Sequence, residues 1–287
     1  MTAIENYVEY WDDWHSEWFT KIKSNNPKDI KGWNVPYEKG GNENQICKYF
    51  PEPFWGCITN DTKAVFLNIN PGGGGIEQDI TEIGNVTSQL YDTFTLSKEK
   101  YSETIKVLSD KENRYYPTTK WMQEKRVNWL NKILGNSSLI VSDIFCADLI
   151  PWHTKTKSDI QNYIQDNKNI KQIIEQVINP LANIAQSIDG VMKGKVIVRS
   201  GMLLDILNSE SGKEIKSNNV EEFVVIDKVK KSFSKFNSYL TVLEIEGTKF
   251  FVFSGGSSMA LPNSTYFVLP INNKNDKVLT LKEFLTK

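Results

Sequence analysis

The sequence predicts an α/β protein: a single domain with a central, mostly parallel sheet flanked by helices, plus an N-terminal helical extension. Three observations predict it. Strand-like and helix-like segments alternate along most of the 287 residues. The short apolar runs after Lys63, Ser138 and Gly194 lack polar alternation, as strands buried on both faces of a parallel sheet do. No internal repeat, low-complexity tract or linker breaks the pattern. With 39% hydrophobic and 24% charged residues, the chain can build a sizeable core, and disordered, collagenous and coiled-coil classes drop out.

The elements follow in order. Ile4, Tyr7, Val8, Trp11, His15, Trp18, Phe19 and Ile22 form one apolar stripe at helical spacing and predict the first helix. Ser24 to Asn44, with Pro27, Pro36 and Gly40-Gly41, reads as loop. Residues 1–50 are therefore expected to form the extension and 51–287 the domain. Pro51-Glu-Pro-Phe-Trp-Gly56 is a stiff lead-in segment to a strand at Ala64 to Asn70, which Pro71 and Gly72 to Gly75 stop. A helix is expected from about Ser97 to Leu108, and another from a Thr118 or Thr119 cap to Leu134, closed by Gly135. Leu139 to Cys146 is the second central strand. Helical pattern returns near Asp159 and restarts at Asn179-Pro180, an Asn cap before a Pro. Lys195 to Arg199 is the third strand, followed by a helix over Gly201 to Leu207. Glu222 to Ile226, Tyr239 to Ile245 and Phe250 to Phe253 are further strands, and Thr280 caps a short final helix.

Charge and residue counts exclude several function classes. Lys+Arg is 34 against Asp+Glu 35, so nucleic-acid contact must come from local patches. Three cysteines, Cys47, Cys57 and Cys146, without a CxxC pair, give neither a disulfide scaffold nor a four-thiolate zinc or iron–sulfur site. Two histidines, His15 and His153, make a His-rich metal centre unexpected, and any Ser-His-Asp triad must use one of them. The acidic, amphipathic N-terminus does not read as a signal peptide. Apolar runs of about four residues fall far below the ~20 of a membrane span. A reduced, cytoplasmic protein without cofactor, metal, membrane contact or obligatory protein partner is expected.

In an open parallel sheet, ligands bind at the carboxyl ends of the strands, and three strand ends here carry unusual residues. The first is Asn68-Ile-Asn70-Pro71-Gly72-Gly73-Gly-Gly75, where glycines permit close backbone approach and Pro71 fixes the turn that presents Asn70. No Gly-Lys-Ser/Thr follows, so it is not a phosphate-binding loop of the Walker type, and the dinucleotide spacing is not met. The plain alternative is a turn after a strand. The second end, Asp148-Leu-Ile-Pro-Trp152-His153, offers a flat stacking surface and an acid or hydrogen-bond donor, or else a surface loop histidine. The third runs from Phe253 to Ser264. Ser254, Ser257, Ser258, Asn263 and Ser264 suit phosphate contacts, and Met259 and Leu261 suit a wedge between base steps. Its alternative is a loop that folds back and buries Met259 and Leu261.

In this order, the three ends resemble the uracil-DNA glycosylase superfamily. Asn68-Ile69-Asn70-Pro71-Gly72 is similar to the Gly-Ile-Asn-Pro-Gly motif of its mismatch-specific branch, and Pro51-Glu-Pro-Phe54 with Gly56 looks like the lead-in of bacterial members of unassigned activity. The second family motif, His-Pro-Ser or Asn-Pro-Ser with a wedge residue, is replaced by Ser254-Gly-Gly-Ser-Ser-Met-Ala-Leu-Pro-Asn263. The resemblance covers roughly Phe54 to Ser264. It implies a monofunctional DNA glycosylase that flips a damaged, mismatched or modified base out of double-stranded DNA, and the large Gly72–Gly75 loop suggests a pocket roomy enough for a phage-type modified pyrimidine. Asn70 matches the residue that holds the attacking water, and a carboxamide orients water without being a strong base. No family-type histidine stands in the second motif, and His153 is the candidate substitute. The iron–sulfur branches, with four cysteines, are excluded.

The same reading assigns Asn68, Pro71, Gly72, Gly73, Trp152, Ser254, Ser257, Ser258 and Asn263 to substrate binding, and Met259 and Leu261 to the wedge. Lys228, Lys230, Lys231 and Lys235, interleaved with Phe233 and Phe236, form the first candidate phosphate patch or an ordinary charged hairpin. Lys155 and Lys157 are the second. Lys120, Lys125 and Arg126 are a third, or the solvated face of their helix. Two rival readings remain: a glycosylase-like fold that binds nucleic acid or a nucleotide without cutting, and a metal-dependent phosphate-ester or nucleotide hydrolase using the glycine loop, for which the sequence offers Asp143 and Asp148 but no evident ligand cluster.

Overall fold

The computed structural model describes residues 1–23, 29–34, 53–56, 59, 61–69, 102, 117–135, 138–152, 157–214, 218–227, 238–255, 261–271 and 278–287. These build a mixed α/β architecture around a nine-stranded sheet. The strands are β3 (Phe54–Gly56), β4 (Ala64–Asn68), β5 (Ile144–Asp148), β6 (Lys195–Val198), β7 (Asn218–Ile226), β8 (Ser238–Ile245), β9 (Thr248–Ser254), β10 (Phe267–Pro270) and β11 (Leu279–Thr280). They lie in the order β11-β10-β7-β8-β9-β6-β4-β5-β3. A separate two-stranded hairpin joins β1 (Asp29–Ile30) to β2 (Trp33–Asn34). The ribbon β5-β4-β6-β9 is parallel, and every pairing outside it is antiparallel.

The first helix, α1 (Ala3–Lys23), starts with a reciprocal cap. Thr2 N donates to Glu5 Oε2 (2.7 Å) and Glu5 N to Thr2 Oγ1 (3.2 Å). Ile4, Tyr7, Trp11, His15 and Trp18 of its apolar stripe are buried as the spacing predicts, Val8 is partly buried, and the helix shares one core with the sheet. Tyr7 meets Phe54 and Phe145 edge-on at centroid separations of 5.7 and 5.6 Å. The hairpin packs on the same helix. Trp14 Nε1 donates to Ile30 O and Trp33 Nε1 to the Tyr10 hydroxyl. Its turn, Lys31-Gly32, has both φ angles positive (45° and 87°), the two-residue hairpin geometry that favours glycine. Part of the stretch read from the sequence as loop is therefore ordered by the aromatic face of α1.

Three further differences from the sequence reading have local causes. Phe54–Gly56 is a strand rather than a lead-in, because β5 has a free edge and pairs with it antiparallel. Gly56 is required there: at φ 93°, an added Cβ would sit 2.1 Å from the Ile144 carbonyl oxygen. The second central strand starts at Ile144 instead of Leu139. Residues 141–143 form a 3₁₀ turn, with Ile140 N donating to the Asp143 carboxylate (2.7 Å). Asn179 is not a cap. The helix α2 (Pro117–Leu134) is followed by α3 (Lys157–Tyr163) and then by α4 (Asn167–Ile173). A π turn over Ile174–Ile178 carries α4 without a break into α5 (Asn179–Ser187). Pro180 has no N–H to donate and crowds the preceding turn, and the wider turn, closed by Asn179 N to Ile174 O, accommodates it.

Among the described residues, the helices α6 (Met202–Leu207) and α7 (Leu281–Thr286) complete the set. Thr280 caps α7 as expected: Glu283 N donates to Thr280 Oγ1 and Thr280 N to Glu283 Oε2. Gly135 ends α2 at φ 75°. α1 and α5 cover one face of the sheet, and α2 and α7 cover the other. Apart from Ser102, the helix expected from Ser97 to Leu108 lies outside the described residues. Among the described residues no helix is long and apolar enough to cross a membrane.

Candidate functional site

The parallel ribbon orders its strands, by position in the chain, second-first-third-fourth. The chain leaves β4 toward β5 on one side and returns to β6 on the other, so the switch point lies between β4 and β6. In open α/β sheets the crevice outside the carboxyl ends at such a point is where ligands bind. The three strand ends singled out from the sequence belong to β4, β5 and β9, so all lie on this edge. Backbone bonds extend the register past the strands: Leu149 N to Asn68 O, Ile150 N to Ile69 O, and Arg199 N to Leu67 O. The ends of β6 and β9 are in contact, since a Cβ on Gly201 would lie 3.2 Å from Ser254 Cβ.

Side-chain alternation sorts the residues of this edge. Phe66 packs on Trp129 of α2, so Asn68, two residues on, points to the α2 face. The parallel register sets Asp148 beside Asn68, and Arg199 follows Val198, the partner of Leu67. Arg126 descends from α2 onto this layer, and its Nη2 donates to Asn68 Oδ1 at 2.7 Å. Asn68 Nδ2 donates to Ala147 O at 3.3 Å, so the carboxamide is held at both ends. Arg126 and Asp148 are only 6% and 4% exposed. Arg199 is half-buried, and its pKa is pushed down to about 10 by burial first and by the Arg126 charge second, with Cys146 opposing. The layer thus combines a fixed amide, one carboxyl group and two guanidinium groups.

The other predicted site residues fall into three groups. Trp152 does not offer a stacking surface: it is 1% exposed and packs edge-on against Trp14 at 5.2 Å. The chain after β5 carries it under α1, where indole burial outweighs display. Leu261 follows the fold-back alternative and packs on the core, so it is not placed as a wedge. The adjacent Pro262 carbonyl accepts from Trp129 Nε1 at 2.7 Å, pinning this return to α2. Asn263 is exposed, and its Oδ1 accepts from Thr265 N and Oγ1. Ser254 is partly buried at the end of β9. Lys157 begins α3, and nothing is described of its side chain. Asn70, Pro71, Gly72, Gly73, His153, Lys155, Lys228, Lys230, Lys231, Ser257, Ser258 and Met259 lie outside the described residues.

Sequence reasoning missed the two arginines. Arg126 was counted with Lys120 and Lys125 as a cationic face, yet it stands four residues before Leu130 and seven before Ile133, on the buried stripe of α2. Arg199 carries only the signal of a charge directly after an apolar strand. His15, the second histidine, is fully buried between the Trp14 and Trp18 rings. A groove of about 430 Å³ between α1 and the π turn, lined by Asn6, Tyr7, Tyr10, Gln176 and Asn183, lies on the α1 side, away from this layer. Among the described residues no group of three His, Cys, Asp or Glu side chains is placed to hold a metal. Comparisons with protein families, curated proteins and solved structures find no match to the chain.

Proposed function

We propose that the protein is a monofunctional DNA glycosylase of the uracil-DNA glycosylase type, hydrolysing the N-glycosidic bond of a flipped damaged, mismatched or modified base. The observation that supports it most is the position of Asn68 and Ile69, the first two residues of the Asn68-Ile69-Asn70-Pro71-Gly72 motif. Asn68 ends the strand at the switch point, between the ends of β5 and β6. The segment from β4 therefore starts where ligands of open α/β sheets bind.

In this reading Asn70 orients the water that attacks C1′ as the glycosidic bond breaks, and the departing base leaves with the bonding electrons. His153 donates to that base. Met259, from the loop after β9, fills the gap in the stack, and the lysines at 155, 157, 228, 230 and 231 neutralise phosphates. The buried link from Arg126 through Asn68 to the Ala147 carbonyl holds the end of β4 at a fixed place, two residues before the water-holding position.

Single-turnover cleavage tests it. Duplexes carrying uracil, mismatched, hydroxymethylated and glycosylated cytosine bases are incubated with the full chain, and alkali reveals abasic sites. Abasic product is expected on at least one duplex, and Asn70→Ala lowers its rate by about 100-fold or more, the scale of losing one positioned catalytic group. Tight, salt-dependent binding without product on any duplex overturns the enzyme reading in favour of a binding module.

A further inference from the structure

We propose that Arg126 and Arg199 together form an anion site at the carboxyl ends of β4 and β6, and that it takes a phosphate group. The motif reading above uses Arg126 only to hold Asn68 and assigns no ligand to either arginine.

The argument starts from charge. On the last layer of the α2 face, the described residues are Asn68, Asp148, Arg199 and Phe253, with Arg126 laid over the polar ones from the helix. One carboxyl group stands against two guanidinium groups, and both arginines lose water contact on folding. The Arg126 guanidinium is anchored on Asn68 by one nitrogen. Among the described residues, the Arg199 guanidinium makes no hydrogen bond and no ion pair, and it is the less buried of the two. A half-desolvated Arg199 guanidinium without a partner among the described residues, next to a second cation, opposes folding unless a counter-ion repays it. An anion between them does so.

Geometry favours phosphate over a carboxylate. Arg126 reaches this layer from α2 and Arg199 follows the end of β6, so the two guanidinium groups come from different elements. A tetrahedral phosphate accepts along several directions, whereas a carboxylate accepts in one plane. A planar guanidinium fork matches two phosphate oxygens at once. The place is also the switch-point crevice, on the open side of the strands. A nucleotide monoester and a polynucleotide diester both offer this chemistry.

Isothermal titration of the full chain distinguishes the sources. The probes are thymidine, thymidine 5′-monophosphate and a 12-mer duplex without terminal phosphates, at matched ionic strength. A phosphate-bearing probe is expected to bind more tightly than thymidine, and Arg199→Gln to weaken that probe about tenfold or more. Loss confined to the monophosphate identifies a nucleotide site, and loss confined to the duplex identifies a backbone contact. Arg199→Gln is also expected to raise the melting temperature of the ligand-free protein, because it removes one of two opposed charges. Wild type should melt higher in inorganic phosphate than in chloride of equal ionic strength. Unchanged affinity of the folded Arg199→Gln chain for both phosphate probes overturns the site. Should that variant not fold, equal melting of wild type in phosphate and chloride overturns it. Asn70→Ala separates the two proposals: it removes abasic product on the glycosylase reading and leaves the phosphate affinity in place. Phosphate binding without product on any duplex would retain the site and discard the glycosylase.

Discussion

The two faces of the parallel ribbon, built from alternate residues of the same strands, have been put to opposite uses. On the α1 face, Phe145 meets Tyr7, and the aromatic layer continues through Trp11, Trp14, Trp33 and Trp152, all buried. On the α2 face, Phe66 packs on Trp129, but the next layer toward the carboxyl edge is Asn68, Asp148 and Arg199 under Arg126, with Phe253 alone continuing the aromatic contact to Trp129. Period-two alternation lets one strand serve both. The difference teaches where this protein can lose stability without losing its site, and where the site itself opposes stability.

The largest effect expected from breaking the contrast is on the aromatic side. Trp14→Ala removes a ring that touches Trp11, His15 and Trp152 and donates to the Ile30 carbonyl. A loss of about 3–5 kcal/mol in urea unfolding is expected, the range for emptying a buried large aromatic. Phosphate affinity of the folded fraction should not change. A joint loss would mean that the two faces are not independent.

Asn68→Leu gives the next effect, on the polar side. It strips Arg126 of its carbonyl acceptor while keeping side-chain bulk. The expected loss is about 1–3 kcal/mol, that of an orphaned buried donor, read by the same unfolding curves. Asn68→Asp, which restores a charged acceptor, should recover that stability and weaken phosphate binding, because it neutralises one guanidinium.

The smallest effect lies on the rim of the α1 side. Lys168 Nζ bonds Asp29 Oδ2 at 2.7 Å, linking α4 to the hairpin. The Asp29 pKa is lowered: burial opposes this and is outweighed by the Lys168 and Gly32 hydrogen bonds. A depressed carboxylate pKa stabilises the fold above the unfolded value, and the gain is lost as pH falls through the folded value. Lys168→Met should therefore flatten the fall in stability below about pH 4 and change little at neutral pH, an exposed pair being worth about 0–1 kcal/mol.

Local signals revealed most of the fold and little of the site. The α1 stripe, the runs that became β4, β5 and β6, the Thr280 cap and Gly135 are all set by neighbours within a few residues. β3, β10 and β11 were invisible as strands because each has four residues or fewer and exists by pairing with β5, β7 or another short strand. Trp152 was misplaced because nothing local shows that the chain after β5 dives under α1. Arg126 was legible in principle: its charge argued for solvent, its spacing to Leu130 and Ile133 argued for burial, and the spacing was right. Arg199 was not legible, since only the sheet order brings β6 beside β4.

The π turn before Pro180 sets the phase of a long helical rod. It carries one residue more than a regular turn, and a single residue rotates everything upstream by about 100° about the axis. Upstream of it, Lys168 faces the hairpin, and downstream Leu181, Ala182 and Ala185 are buried on the sheet side. Deleting one residue within 174–178 would leave a smoother helix that aims its first half at the wrong neighbour. The irregularity works as an offset coupling, letting one rod mesh with two partners that no straight helix would meet together.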